Sequence, residues 1–295
     1  MSATPCHKHM LGWLAAATAW MLFGSNYWVM REFLPADTPL WGSTLRALPA
    51  GVALLLLARR LPTSAWWWRS VVLGSLNMGL FFLLLYIAAQ RLPSSIAASI
   101  GALSPLMLAA VAWRLIGERV NAWFVGGAAL GIVGVVLIVG MASGGMDGWG
   151  VAASLGATAL MSVGAVLGKR WNDGTPVFTT TAWQLMIGGL ELLVIAIFVE
   201  GAPPAVSGSA IAAFAYISLI ATAFSYVCLF TGFKYLPAGT VGMLGLLNPI
   251  TGVLLGVWLA SETLTMAQTA GIALVLVSIV LAQKKSLSER GKPEG

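Results

Sequence analysis

Two formally charged residues, Arg46 and Glu191, stand well inside long apolar stretches of this chain. A charge in that setting is costly unless it is paired or serves a site. Each lies about eight residues from the end of its stretch. One reading is therefore a mutual ion pair, and the other makes Arg46 a docking point for a solute carboxylate. Amides in the same setting, Asn26, Asn77 and Asn248, must face protein or water rather than lipid. Rings supply the apolar complement: Trp20 falls mid-stretch, and Phe82 with Tyr86, like Tyr226 with Phe230, is spaced i, i+4 on one helix face. Such faces can hold the apolar part of a solute while a hydroxyl reaches its polar atoms. Helix packing and interhelical hydrogen bonds are the alternative uses of the same residues. The chemistry is binding rather than catalysis. No phosphate-binding loop is present, and no His, Asp or Glu cluster marks an enzyme or a metal centre. His7 and His9 lie in the N-terminal tail, and Cys6 and Cys228 suggest neither a disulfide nor a metal site. No cofactor is expected.

These residues need a membrane-spanning frame. Of 295 residues, 59% are hydrophobic and 9% charged, against roughly 25% charged in a soluble domain. Apolar runs of the length that crosses ~30 Å of hydrocarbon as a helix recur at about 11–30, 38–58, 70–90, 93–113, 120–140, 148–168, 178–199, 208–230, 237–259 and 266–283. The expected fold is an all-α membrane protein with ten transmembrane helices. A net charge of +6 invites a nucleic-acid reading, but its distribution argues otherwise. With the N-terminus inside, thirteen basic residues fall on the cytoplasmic side and only Arg31 and Arg91 outside. Both termini are thus expected in the cytoplasm, and the partners are membrane lipids and a small-molecule solute, with no nucleic acid. Nothing in the sequence specifies the oligomeric state, and a monomer suffices. The first apolar run is too long for a signal peptide. Trp residues cluster where spans end, as interfacial anchors.

The spans repeat. Residues 86–137 laid over 230–281 without a gap give 13 identities in 52 positions, at an offset of 144. Leu92-Pro93 matches Leu236-Pro237, Gly101-x-Leu103-Ser104-Pro105 matches Gly245-x-Leu247-Asn248-Pro249, and Glu118 matches Glu262. The unit is five spans. An odd unit forces the second copy to enter the bilayer upside down, which predicts inverted repeats and alternating access. The expected domains are a first repeat over 10–140, a second over 148–283 and a cytoplasmic tail over 284–295. Proline inside a helix frees the carbonyl four residues earlier. Gly101 precedes Pro105, and Gly245 precedes Pro249, by that spacing. These four are expected hinge positions, a static kink being the alternative. Glu118 and Glu262, at span ends, suit helix-end hydrogen bonding.

The order of these motifs resembles the EamA-type members of the drug/metabolite transporter superfamily: an aromatic-rich helix, Leu-Pro, then Ser104-Pro105 or Asn248-Pro249, then Glu118 or Glu262. Tyr226-x3-Phe230, Lys234-Tyr235-Leu236-Pro237-Ala238 and Ser261-Glu262 lie especially close to that pattern. The chain looks most like bacterial YddG-type amino-acid and metabolite exporters. The resemblance implies a central cavity lined by spans 1, 3, 4, 6, 8 and 9, to which Trp20, Asn26, Asn77, Tyr86, Tyr226 and Asn248 belong. It also implies an inner-membrane secondary transporter exporting small amphipathic metabolites, foremost neutral or aromatic amino acids. A carrier for an amine, a drug-like compound or a nucleotide sugar is the alternative, and a lipid-modifying membrane enzyme a weaker one.

Overall fold

A computed structural model describes residues 5–101, 103–117, 122–140, 147–236, 244–245 and 247–288. The described residues form helices and no strand, the economical answer where apolar surroundings leave every backbone N–H and C=O to be satisfied within its own segment. The helices are α1 (Pro5–Phe33), α2 (Pro39–Ala58), α3 (Trp66–Gly74), α4 (Leu80–Arg91), α5 (Ser94–Gly101), α6 (Ser104–Ile116) and α7 (Ala122–Gly140). They continue as α8 (Gly148–Arg170), α9 (Val177–Val199), α10 (Gly208–Ala215), α11 (Ser225–Tyr235), α12 (Leu247–Trp258) and α13 (Met266–Ser288). Two π-helical segments, Ser75–Gly79 and Tyr216–Phe224, join α3 to α4 and α10 to α11. Six helical runs are long and apolar enough to cross a membrane: Pro39–Ala58, Trp66–Arg91, Ser94–Ile116, Gly148–Arg170, Val177–Val199 and Gly208–Gly232.

The apolar runs read from the sequence and these helices agree closely at most ends. Three differences have physical causes. First, α1 and α13 extend beyond their apolar windows. A helix continues through polar residues of good propensity, such as Lys284 and Lys285, once the chain has left the apolar stretch. Second, within the run at 93–113 the described residues form α5 and α6, with Leu103 in a turn before α6. Pro105 occupies the first turn of α6, where its missing N–H costs nothing, rather than a helix interior. Third, both π segments were invisible to hydropathy. Residues 118–121 and 237–243, which include Glu118, Pro237 and Ala238, lie outside the described residues.

The most extensive packing joins α2 to α9 and α7 to α13. α1 lies against α11 and α12, α8 against α4 and α6, and α5 against α12. Small residues permit the closest approaches: a Cβ on Gly51 of α2 would stand 2.8 Å from the Met186 nitrogen of α9. Gly117 ends α6 at φ 71, a left-handed conformation that glycine adopts without a Cβ penalty.

Carboxylates hold the helix ends. Glu200 accepts from the Leu40 and Trp41 N–H groups (2.8 and 2.9 Å), capping α2 from beyond the end of α9. Glu262 accepts from the Ser94 N–H (2.6 Å), the Ser95 N–H (3.1 Å) and the Ser95 hydroxyl (2.5 Å), capping α5. Helix-end bonding is thus the role of Glu262, and the helix it caps belongs to the other half of the chain. Arg31 approaches the same carboxylate at 4.0 Å. Asp147 caps α8 through the Trp149 N–H (2.9 Å) and accepts from Arg91 (2.7 Å), which holds its carboxyl below the usual carboxylate range. At the opposite end of α2, Trp183 donates to the Arg60 carbonyl (2.7 Å) and Trp66 to Asp173 (2.7 Å). The Thr175 hydroxyl, followed by Trp66, holds the Asp173 carboxyl low.

Candidate solute site

A cavity of about 60 Å³ lies where α1, α2, α4, α8, α11 and α12 meet the break between α5 and α6. A water needs ~10–15 Å³ by this measure, whereas ligand pockets run to ~300 Å³ and above. The space is thus larger than a single water and smaller than a ligand pocket.

One wall is aromatic. Trp20, Phe23 and Tyr27 stand at i, i+3 and i+7 on α1, so helical geometry stacks them on one stripe. Phe81 of α4 and Tyr226 of α11 complete the wall. The rings touch in sequence: Trp20 to Phe23 at 5.8 Å, Phe23 to Tyr226 at 5.3 Å, and Tyr226 to Phe230 at 5.8 Å between centroids. The first two contacts are edge-to-face, the arrangement that the ring quadrupole favours.

The polar groups are few and placed apart from one another in sequence. Arg46 borders the cavity and is 3% exposed. Its Nε donates to the Thr222 hydroxyl (3.1 Å), Nη1 approaches the Met30 sulfur (3.9 Å), and the guanidinium lies 4.0 Å over the Phe82 ring. A guanidinium has five donors, and these contacts occupy two. Among the described residues no carboxylate pairs with it. Asn26, 2% exposed, also borders the cavity, and its Oδ1 has no hydrogen-bond partner. Asn248, Ser104 and Thr158 add further polar lining. The arrangement presents a cation and an open acceptor to an apolar space. That combination can hold a carboxylate and an N–H donor on one small molecule.

The structure brings Trp20, Asn26, Arg46, Tyr226, Asn248 and Gly101 to this cavity, whereas Asn77, Phe82, Tyr86, Phe230 and Glu191 are engaged elsewhere. The Arg46–Glu191 ion pair is not formed: Glu191 lies against Ser75, with both carboxyl oxygens 2.8 Å from the Ser75 hydroxyl. Asn77 instead donates to the Gln184 side chain (2.8 Å) and fits against Gly164, an interhelical contact. Phe82 lies beneath the Arg46 guanidinium rather than facing the cavity. Tyr86 is 1% exposed and donates to the Pro35 carbonyl (2.7 Å). Phe230 backs Tyr226.

Phe82 and Tyr86 were expected on the cavity face, and Phe81 and Leu85 occupy it, one residue earlier. A π segment precedes α4 as one precedes α11, where Tyr226 does face the cavity, so the one-residue shift belongs to α4 alone. Nothing in the residue types announces it.

At the break, Gly101 borders the cavity because it lacks a side chain: a Cβ there would stand 2.6 Å from the Tyr27 hydroxyl oxygen. In the second copy α12 begins at Leu247, and the Asn248 N–H donates to the Gly245 carbonyl (3.2 Å). Pro249 again falls in a first helical turn. Both copies thus combine a helix start with the cavity lining. Sequence reasoning missed Tyr27, Phe23, Phe81, Leu85, Ser154, Thr158 and Met161. The α1 aromatic stripe and the Ser154, Thr158, Ser162 i, i+4 series on α8 were legible signals for most of them.

The chain matches the EamA-like transporter family twice, over residues 10–140 and 148–283. It is 34% identical to Protein PecM of Dickeya dadantii over 92% of each chain. It is 28% identical to the WAT1-related chloroplastic protein At3g02690 of Arabidopsis thaliana, over 92% of this chain and 69% of that one. Identity to the uncharacterized inner membrane transporter YedA of Escherichia coli is 26%, over 89% of this chain and 87% of the other. A solved crystal structure superposes with a TM-score of 0.65 at 19% identity, covering 92% of this chain and 97% of that one, a likeness of fold. Two matches that together span nearly the whole chain, with a relative similar from end to end, make this a membrane transporter belonging to the EamA-like transporter family.

Proposed function

We propose that the protein is a secondary transporter that exports small amphipathic metabolites, foremost neutral and aromatic amino acids, by alternating access between inverted five-helix repeats. Arg46 receives the solute carboxylate, Asn26 Oδ1 an N–H donor, and Trp20, Phe23, Tyr27 and Tyr226 its apolar part. The observation that carries this reading is a guanidinium with no carboxylate partner among the described residues and an unpartnered amide oxygen, both lining one ring-walled space. A nucleotide sugar would call for several cations, and among the described lining residues Arg46 is the single one.

The inverted arrangement is supported from two sides. Exchanging each helix for its sequence counterpart maps the α1–α11 contact onto α8–α4 and leaves α2–α9 and α7–α13 unchanged. The link after α1 and its counterpart after α8 also make hydrogen bonds at opposite ends of α2: Tyr86 reaches Pro35 near one end, and Trp66 reaches Asp173 near the other. Ten spans with both termini cytoplasmic in a bacterial inner membrane, and domains at 10–140 and 148–283, follow from this reading and from the thirteen-to-two distribution of basic residues. Transport needs no cofactor and no chemical conversion of the solute.

The test is counterflow in liposomes holding purified protein. Labelled phenylalanine should enter vesicles preloaded with unlabelled phenylalanine, saturably and unchanged. Exchange absent across the neutral and aromatic amino acids refutes the assigned solutes, and exchange of an amine in their place selects the alternative carrier. Single-cysteine labelling at 118 and 262 should report opposite faces; one common face refutes the inversion.

A further inference from the structure

We propose that Glu191 is a proton-binding site that couples solute movement to a proton gradient; the inference rests on the carrier reading above. A carboxyl set among aliphatic side chains, with the Ser75 hydroxyl as its polar partner, carries it. The Ser75 hydroxyl oxygen lies 2.8 Å from the Val71 carbonyl oxygen and 2.8 Å from each Glu191 carboxyl oxygen. A serine hydroxyl has one hydrogen, and an ionised carboxylate has none to offer. With Glu191 ionised, the one hydroxyl hydrogen turns to the carboxylate, and the Val71 carbonyl keeps the Ser75 N–H. With one proton added to Glu191, one carboxyl oxygen donates to Ser75 and Ser75 donates to Val71, so the proton selects which way the hydroxyl points.

The surroundings favour the protonated state. Glu191 shares its groove with Val71, Ile187, Leu190, Val194 and Ile195, all aliphatic. It lies eight residues before the end of α9 at Val199, roughly 12 Å along the axis at ~1.5 Å per residue. No cation reaches it among the described residues of the packed elements. On α2, Arg46 is bonded to Thr222; on α3, Arg69 lies 3.5 Å from Asp173; on α11, Tyr226 sits among Phe23 and Phe230. Beyond the end of α9 itself, Glu200 caps α2. A carboxylate without a cation beside aliphatic groups is strongly disfavoured.

The position links the proton to the cavity. Releasing it turns the Ser75 hydrogen from Val71 to the carboxylate, at the junction of α3 with the π segment Ser75–Gly79. Phe81 of the aromatic wall lies two residues beyond that segment, and Phe82 lies under the Arg46 guanidinium. On the paired helix α2, Arg46 bonds Thr222 in the other π segment, as Glu191 bonds Ser75 in this one. The only bond made or broken is the carboxyl O–H, with the proton taken from one aqueous phase and released to the other.

The test uses the full chain in liposomes, labelled phenylalanine, and Glu191→Gln, whose amide is neutral at every pH. Counterflow at equal pH should persist in the variant, and the component driven by an imposed pH gradient should be lost. A gradient response unaltered in Glu191→Gln overturns the proposal, as does wild-type counterflow that ignores the gradient. Absence of counterflow in the wild type refutes the carrier reading, and this inference with it. Infrared spectroscopy gives a readout independent of transport. A carbonyl band of a neutral carboxylic acid at neutral pH should vanish in Glu191→Gln, and its absence from the wild type overturns the assignment.

Discussion

Replacing Arg46 by Gln separates a solute-binding guanidinium from a structural one, because the two roles give opposite signs on stability. Arg46 is 3% exposed, holds one hydroxyl partner at 3.1 Å and one sulfur at 3.9 Å, and lies over Phe82 at 4.0 Å. The ring contact is worth ~2 kcal/mol when desolvated, and the Thr222 bond ~1.5–3 kcal/mol. Against them stands a burial cost of several kcal/mol for an ion without a counterion. The solute-free variant should therefore be no less stable than the wild type in a detergent melting measurement. Binding should suffer instead. A hydrogen bond from a charged donor contributes ~1.5–3 kcal/mol, so losing one carboxylate contact should raise the half-saturation concentration for phenylalanine roughly 10- to 150-fold. Arg46→Lys keeps the charge but not the planar fork and should fall between the two. Unchanged half-saturation in Arg46→Gln, or a large fall in solute-free melting temperature with unchanged affinity, refutes the docking role.

Trp20→Ala and Tyr226→Ala should each weaken phenylalanine affinity while leaving membrane insertion intact, as read by counterflow kinetics and by detergent-extracted yield. Unchanged kinetics in both would remove the ring wall from the site. Pro105→Ala and Pro249→Ala restore a backbone donor in the first turns of α6 and α12, which should favour helix across the break and slow turnover more than it weakens binding. Equal loss in both constants argues for a packing role alone.

The duplication and the family were legible in the residues because rare types recur at fixed spacing: Gly101 with Pro105 and Gly245 with Pro249 survive in a chain where shared Leu means little. Hydropathy placed the long helices because a segment surrounded by apolar material must satisfy its backbone internally. The cost of isolated charge marked Arg46, and the cost of an unsatisfied amide marked Asn26, and both border the cavity. What remained hidden depends on rotation and on partners. On α4 Phe81 rather than Phe82 faces the cavity, a choice of face with no compositional trace. Arg46 and Glu191 sit at similar depth on paired helices, yet each bonds to a hydroxyl on a π segment instead of to the other. Depth along a helix follows from residue number, but direction around its axis follows from how neighbouring helices pack, and that is decided only in the assembled bundle.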